Sequence, residues 1–163
     1  RLETSVPGVF AIGDVKGGPA FTHISYDDSR ILERRLLHGE TSASIEGRLV
    51  PWTIFTDPQI ARVGMNEQEA RDAGYEVKLA ELPASKIARC IETDRTQGLW
   101  RVIVDQETDK ILGATLVSME AGEVMSVLQL AMVGGVTARQ IEQMTIAHPL
   151  LAESLNNLFA TIS

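Results

Sequence analysis

Cysteine is almost absent from this chain: 163 residues hold one, Cys90. No intrachain disulfide and no cysteine-rich metal site is therefore possible, and the usage fits a reducing, cytoplasmic location. Cys90 lies between Arg89 and Ile91 and reads as a structural thiol; Arg89 and Lys86 are the cations that would activate it otherwise. Histidine is scarce as well. His23, His38 and His148 are too scattered for metal-ligand spacing, so no metal is expected. No apolar run reaches the roughly 18 residues that a membrane span needs. Basic residues are in deficit, 15 Lys and Arg against 22 Asp and Glu, a net charge of −7. That excludes an extended nucleic-acid surface, which requires clustered cations; Arg30, Arg34 and Arg35 are interrupted by Glu33 and read as a solvated helix face. Repeats and low-complexity stretches are missing too. The chain opens at Arg1 without an initiator Met or a signal-peptide pattern, and is expected to be a fragment.

What is present is ordinary globular texture, 44% hydrophobic residues in a length that suits one compact domain plus an appendage. Residues 9–12 form a short apolar run ending at Gly13-Asp14, like a buried strand that stops at a functional loop. Lys16-Gly17-Gly18-Pro19 is turn chemistry. Thr22 is placed to cap a helix over 23–37, with Ile24, Ile31, Leu32 and Leu36 at helical spacing. Residues 39–47 are small and polar, the texture of a linker. Beyond Val50 the pattern predicts a strand over 52–56 closed by Asp57-Pro58, a short helix opened by Asn66, a strand over 75–82, and a hairpin of 99–104 with 111–117. An apolar helix over 122–133, another capped by Thr137, and a last one over 151–162 follow. Strands first and helices later indicate an α+β fold, an antiparallel sheet with helices packed against it.

Two constellations carry chemistry. His148-Pro149 is followed by Glu153 at the start of a helical segment. Imidazole titrates near neutrality and can take and return a proton. A carboxylate on its other ring nitrogen fixes the tautomer and stabilises the imidazolium. The plainer alternative is a loop histidine with a first-turn acid favoured by the helix dipole. At the other end, Asp14 sits where a strand meets a loop, placed to bond a polyol, and Thr22 opens a helix whose free N–H groups favour negative charge. Asp14 as a simple loop cap is equally consistent. Asp27-Asp28 reads as a solvated face, and Met125, Met132 and Met144 as packing.

Together and in this order, residues 4–14, Pro51-Trp52-Thr53-Ile54-Phe55-Thr56-Asp57-Pro58 through Gly64, and His148-Pro149 with Glu153 resemble the class I pyridine nucleotide-disulfide oxidoreductases. The first stretch is similar to their second flavin-binding signature, the second to the opening strand of their dimerisation domain, and the last to their acid–base dyad. The resemblance implies a division into residues 1–38, the tail of an FAD-binding domain, a linker over 39–49, and a dimerisation domain over 50–163. It implies a homodimer passing electrons from NAD(P)H through FAD to a disulfide or small-molecule substrate. Asp14 would bond the FAD ribityl chain and the Thr22 amide would face the flavin. His148, oriented by Glu153, would serve the partner subunit's active site. The redox cysteine pair and the Gly-x-Gly-x-x-Gly fingerprint of such enzymes are not in this sequence, so the fragment is expected to bind no cofactor firmly and to be inactive alone. Leu150 replaces the Thr usual after His-Pro in the family. The ending lacks vicinal cysteines, which speaks against mercury reduction. Residues 13–25 and 153–159 are similar to the branch that reduces reactive chlorine or hypothiocyanous oxidants. A flavin NAD(P)H oxidase of the same fold and a non-catalytic dimerisation module are the competing expectations.

Overall fold

A computed structural model describes residues 2–162. The chain divides into two compact units, Arg1–Val50 and Pro51–Ser163.

In the first unit the strand expected over 9–12 is reduced to one antiparallel bridge, Glu3 with Phe10, flanked by Thr4 N–H to Val9 O at 2.8 Å and Ala11 N–H to Leu2 O at 2.9 Å. A strand needs a ladder partner; with only this short partner in the unit, Val6 and Val9 stay exposed. Residues Gly13–Lys16 turn as a single 3₁₀ stretch into the glycine loop. Helix α1, Thr22–Leu36, starts one residue earlier than expected: Phe21 is the extended N-cap, its carbonyl accepting from the Ile24 and Ser25 N–H groups. Thr22 is thus the first helical residue and not a cap. The stripe Ile24, Asp28, Ile31 faces inward, while Leu36, expected on the apolar face, is exposed. The polar segment after α1 folds back onto it. Arg35 Nη1 donates to Thr41 O at 2.7 Å and Ala43 O at 3.0 Å, and Ala43 packs with Leu2 and Ile31, beside Leu32 and Ile45.

The second unit is built on a five-stranded antiparallel sheet. Its strands are β1 (Trp52–Ile54), β2 (Gln59–Gly64), β3 (Val77–Pro83), β4 (Leu99–Asp105) and β5 (Ile111–Ser118), in the spatial order β1-β2-β5-β4-β3. The stretch 51–64, similar to one opening strand, is in fact a hairpin that turns at Asp57-Pro58 and pairs Trp52 with Arg62. On β4, Trp100, Val102 and Val104 alternate with Leu99, Arg101 and Ile103, so both sheet faces receive apolar side chains. The register against β5 steps from Ile103–Gly113 to Val104–Ile111, a bulge at Leu112. Helix α2 (Glu67–Asp72) lies on β3; Ala70, Ile103 and Leu112 pack together with Met65, Val77 and Leu79 around them. Asn66 and Glu69 cap α2 reciprocally, as Thr137 and Gln140 cap α5 (Ala138–Glu142). A short α3 (Ala88–Glu92) places Cys90 in the interior. Helix α4 (Ala121–Gly134) covers β2 and β5, burying Val124, Met125 and Leu128. The last helix, α6, is shorter than expected, Ser154–Phe159, because residues before it form turns; Leu155, Leu158 and Phe159 anchor it in the core.

Candidate functional site

Helix α6 is the element that positions the histidine–carboxylate pair. Its buried Leu155 and Leu158 fix the segment, and Glu153 stands directly before its first residue. The carboxylate reaches back across the loop to His148: Nδ1 lies 2.9 Å from Oε1 and 3.1 Å from Oε2 of Glu153. Exposure is divided unequally. The Glu153 side chain is 16% exposed and that of His148 is 68% exposed. With an acceptor-only carboxylate on Nδ1, that nitrogen carries the hydrogen, and Nε2 is left with its lone pair and no partner among the described residues. An imidazole held by one nitrogen and open at the other is equipped to accept a proton and to return it. Leu150 beside it is exposed and offers no hydroxyl.

The loop that carries Asp14 is pinned from beneath. Gly13 has φ +64°, and a Cβ there would approach Ser25 Oγ to 2.8 Å, so this turn requires glycine. Its N–H donates to Asp28 Oδ2 at 2.9 Å. Asp28 is fully buried and also meets Lys16 Nζ at 3.2 Å and Arg48 Nη1 at 2.7 Å, while Arg48 bridges to Asp27 at 3.0 Å. Burial pushes the Asp28 carboxyl up; the hydrogen bonds from Arg48, Gly13 N–H and Lys16, with the Lys16 charge, outweigh it and leave the group below its ordinary value. Asp28 is therefore no part of a solvated face. A carboxylate tolerates full burial when donors surround it. The signal was available in sequence: Asp28 shares the i, i+4 and i+7 stripe with Ile24 and Ile31. Above this clamp, Asp14 itself is exposed, and its carboxylate has no partner among the described residues. The Thr22 N–H, first of α1, has no acceptor among them either. Asp14 and Thr22 thus flank one glycine loop without bonding each other, and His148 and Glu153 meet on the second unit.

Cys90 is completely buried, and burial pushes its thiol up, away from thiolate character; Arg89 pairs with Glu92 instead. Among the described residues no group of three His, Cys, Asp or Glu side chains forms a metal site, and no helix is long and apolar enough to cross a membrane.

Residues 50–159 match the family described as pyridine nucleotide-disulphide oxidoreductase, dimerisation domain. This chain belongs to that family. Over 163 residues it is 37% identical to the probable pyridine nucleotide-disulfide oxidoreductase RclA of Escherichia coli, covering 99% of this chain and 37% of that protein. Over 158 residues it is 37% identical to a dihydrolipoyl dehydrogenase of Thermus scotoductus, covering 95% and 33% respectively. A solved structure described as the HOCl-induced flavoprotein disulfide reductase RclA of E. coli superposes with a TM-score of 0.90 at 34% identity, over 98% of this chain and 37% of that one. The chain spans roughly a third of the length of the curated relatives it matches. Apolar side chains are left in water on this domain: Leu130 is 72% and Val133 71% exposed on the outer face of α4, and Phe55 is 82% exposed beyond β1.

Proposed function

We propose that this chain is the dimerisation part of an FAD-dependent NAD(P)H:disulfide oxidoreductase, that it supplies His148 and Glu153 as an acid–base dyad to the partner subunit's active site, and that it is inactive by itself. The observation that carries the reading is the 2.9 Å contact of His148 Nδ1 with Glu153, in a domain of this family, with the other ring nitrogen open. Residues 50–163 are assigned to the dimerisation domain and 1–38 to the FAD-binding domain, joined through 39–49.

In this role Nε2 of His148 accepts the proton of a thiol as that thiol becomes a thiolate, and the resulting imidazolium is stabilised by Glu153. The same nitrogen returns the proton to the thiolate released when a disulfide is cleaved. The residues of the first unit fit a flavin: Asp14 offers an exposed, unpaired carboxylate to a hydroxylated chain, and the Thr22 N–H offers a donor to a ring edge that gains negative charge. Bound there, FAD supplies two-electron carriage between nicotinamide and disulfide. The likeness to a protein described as a flavoprotein disulfide reductase favours this reading over an NAD(P)H oxidase without a thiol relay.

In the full-length protein His148→Ala is expected to lower disulfide-linked turnover by about 10²–10⁴ and to leave flavin reduction by NAD(P)H intact. Stopped-flow measurement of the two half-reactions separates these; equal loss in both overturns the dyad role. An anaerobic NAD(P)H titration checks the relay. A long-wavelength thiolate-to-flavin charge-transfer band supports it, and simple bleaching supports the oxidase.

A further inference from the structure

Both members of the pair lie on the stretch between α5 and α6, and the His148 side chain is 68% exposed. At the base of that stretch α5 packs on α6, and a side-chain amide ties the two together. Asn156 Nδ2 donates to Ile141 O at 2.7 Å, to Glu142 O at 3.0 Å and to Met144 O at 3.0 Å. These carbonyls lie at and just beyond the carboxyl end of α5, and Ile141 O also accepts from the Met144 N–H at 3.1 Å. Asn156 stands three positions after Glu153, and its own N–H donates to Glu153 O at 3.1 Å. Its neighbour Leu155 is fully buried. One side chain thus joins the end of α5 to the turn that presents the carboxylate, and closes the loop 145–153 at its base. The chemistry calls for asparagine. Three carbonyl oxygens face this side chain, and an amide donates to them where a carboxylate of the same shape cannot.

We propose that Asn156 is a positioning residue for the acid–base dyad, holding the two ends of loop 145–153 together so that Glu153 meets His148 Nδ1. This inference rests on the dyad reading above. Asn156 touches neither the imidazole nor a substrate; it acts through the distance between the pair.

The test uses the full-length dimeric flavoprotein. Asn156→Asp replaces the donor with an acceptor facing three carbonyls, and Asn156→Ala removes the donor without adding charge, should the first variant fail to fold. Either is expected to slow the disulfide half-reaction by about 10- to 10²-fold, the effect of a displacement near 1 Å in a catalytic group, with flavin reduction by NAD(P)H unchanged. The loss should fall on the limiting rate of the disulfide half-reaction and not on its half-saturating disulfide concentration, because Asn156 touches no substrate. In the His148→Ala background, Asn156→Ala should cost the disulfide half-reaction nothing further. The same loss in both backgrounds makes Asn156 a general structural residue and overturns the proposal, as does a wild-type limiting rate in Asn156→Ala. If His148→Ala itself leaves the disulfide half-reaction unaltered, the dyad reading falls first and the inference with it.

Discussion

Removing a carboxylate from water costs several kcal/mol unless donors replace the lost hydration, and Asp28 has three: Gly13 N–H, Lys16 and Arg48. Asp28→Asn is expected to destabilise the protein by about 3 kcal/mol, since it leaves half-buried Lys16 without its carboxylate and Arg48 with Asp27 alone. The pH dependence has a definite sign. The folded carboxyl titrates below its unfolded value of about 3.9, so its contribution is complete above that pH and is lost as pH falls through the lower folded value. Thermal melts of the two proteins on descending from about pH 6 should converge below about pH 4; a constant gap would show that Asp28 binds its proton alike in the folded and unfolded states. Ser154 presents the opposite case. Its hydroxyl is buried with no partner among the described residues, a group whose removal relieves an unpaid desolvation cost. Ser154→Ala should leave the melting temperature unchanged or raise it, by up to about 1 kcal/mol of stability.

At the level of elements, the caps were legible because they are local. Asn66 and Thr137 each bond an N–H three residues ahead, and that spacing is written in the chain. Asn66→Ala is expected to cost about 1 kcal/mol, read as a lower urea midpoint. Strand 9–12 was not legible, since its apolar run says nothing about which neighbour would complete a ladder. Thr22 looked like a cap by residue type, yet the extended backbone of Phe21 decides where α1 begins. The bulge at Leu112 is likewise decided from outside the strand. A Cβ on Gly113 would collide with the Met65 backbone, so Gly113→Ala should destabilise the sheet by about 1–3 kcal/mol, again measured by urea unfolding.

For the whole molecule, the decisive property is association. An obligate homodimer generally buries more than about 2,000 Å² in total; under the proposed function, the exposed Leu130 and Val133 of α4 are apolar groups expected to enter such an interface. Leu130→Asp with Val133→Asp should shift the full-length protein from dimer to monomer in sedimentation velocity. If His148 serves the partner subunit, the same change abolishes disulfide turnover and spares flavin reduction; a monomer with full disulfide turnover would place the dyad in its own subunit's site.

The sequence alone determined the α+β class and most of the helices and sheet strands, and it left the pairing of His148 with Glu153 as one of two readings. These follow from hydrophobic period, local capping and a five-residue spacing, all of which act over short stretches of chain. Tertiary structure decided the rest. The burial of Asp28 beneath the Asp14 loop depends on Lys16 and Arg48 arriving from distant positions. The three-carbonyl grip of Asn156 depends on α5 ending beside α6. The stripe of Ile24, Asp28 and Ile31 marks the buried face of α1, but the partners of Asp28 and the grip of Asn156 leave no periodic trace, because a hydrogen bond between segments is specified by where the core places them and not by the residues adjoining it.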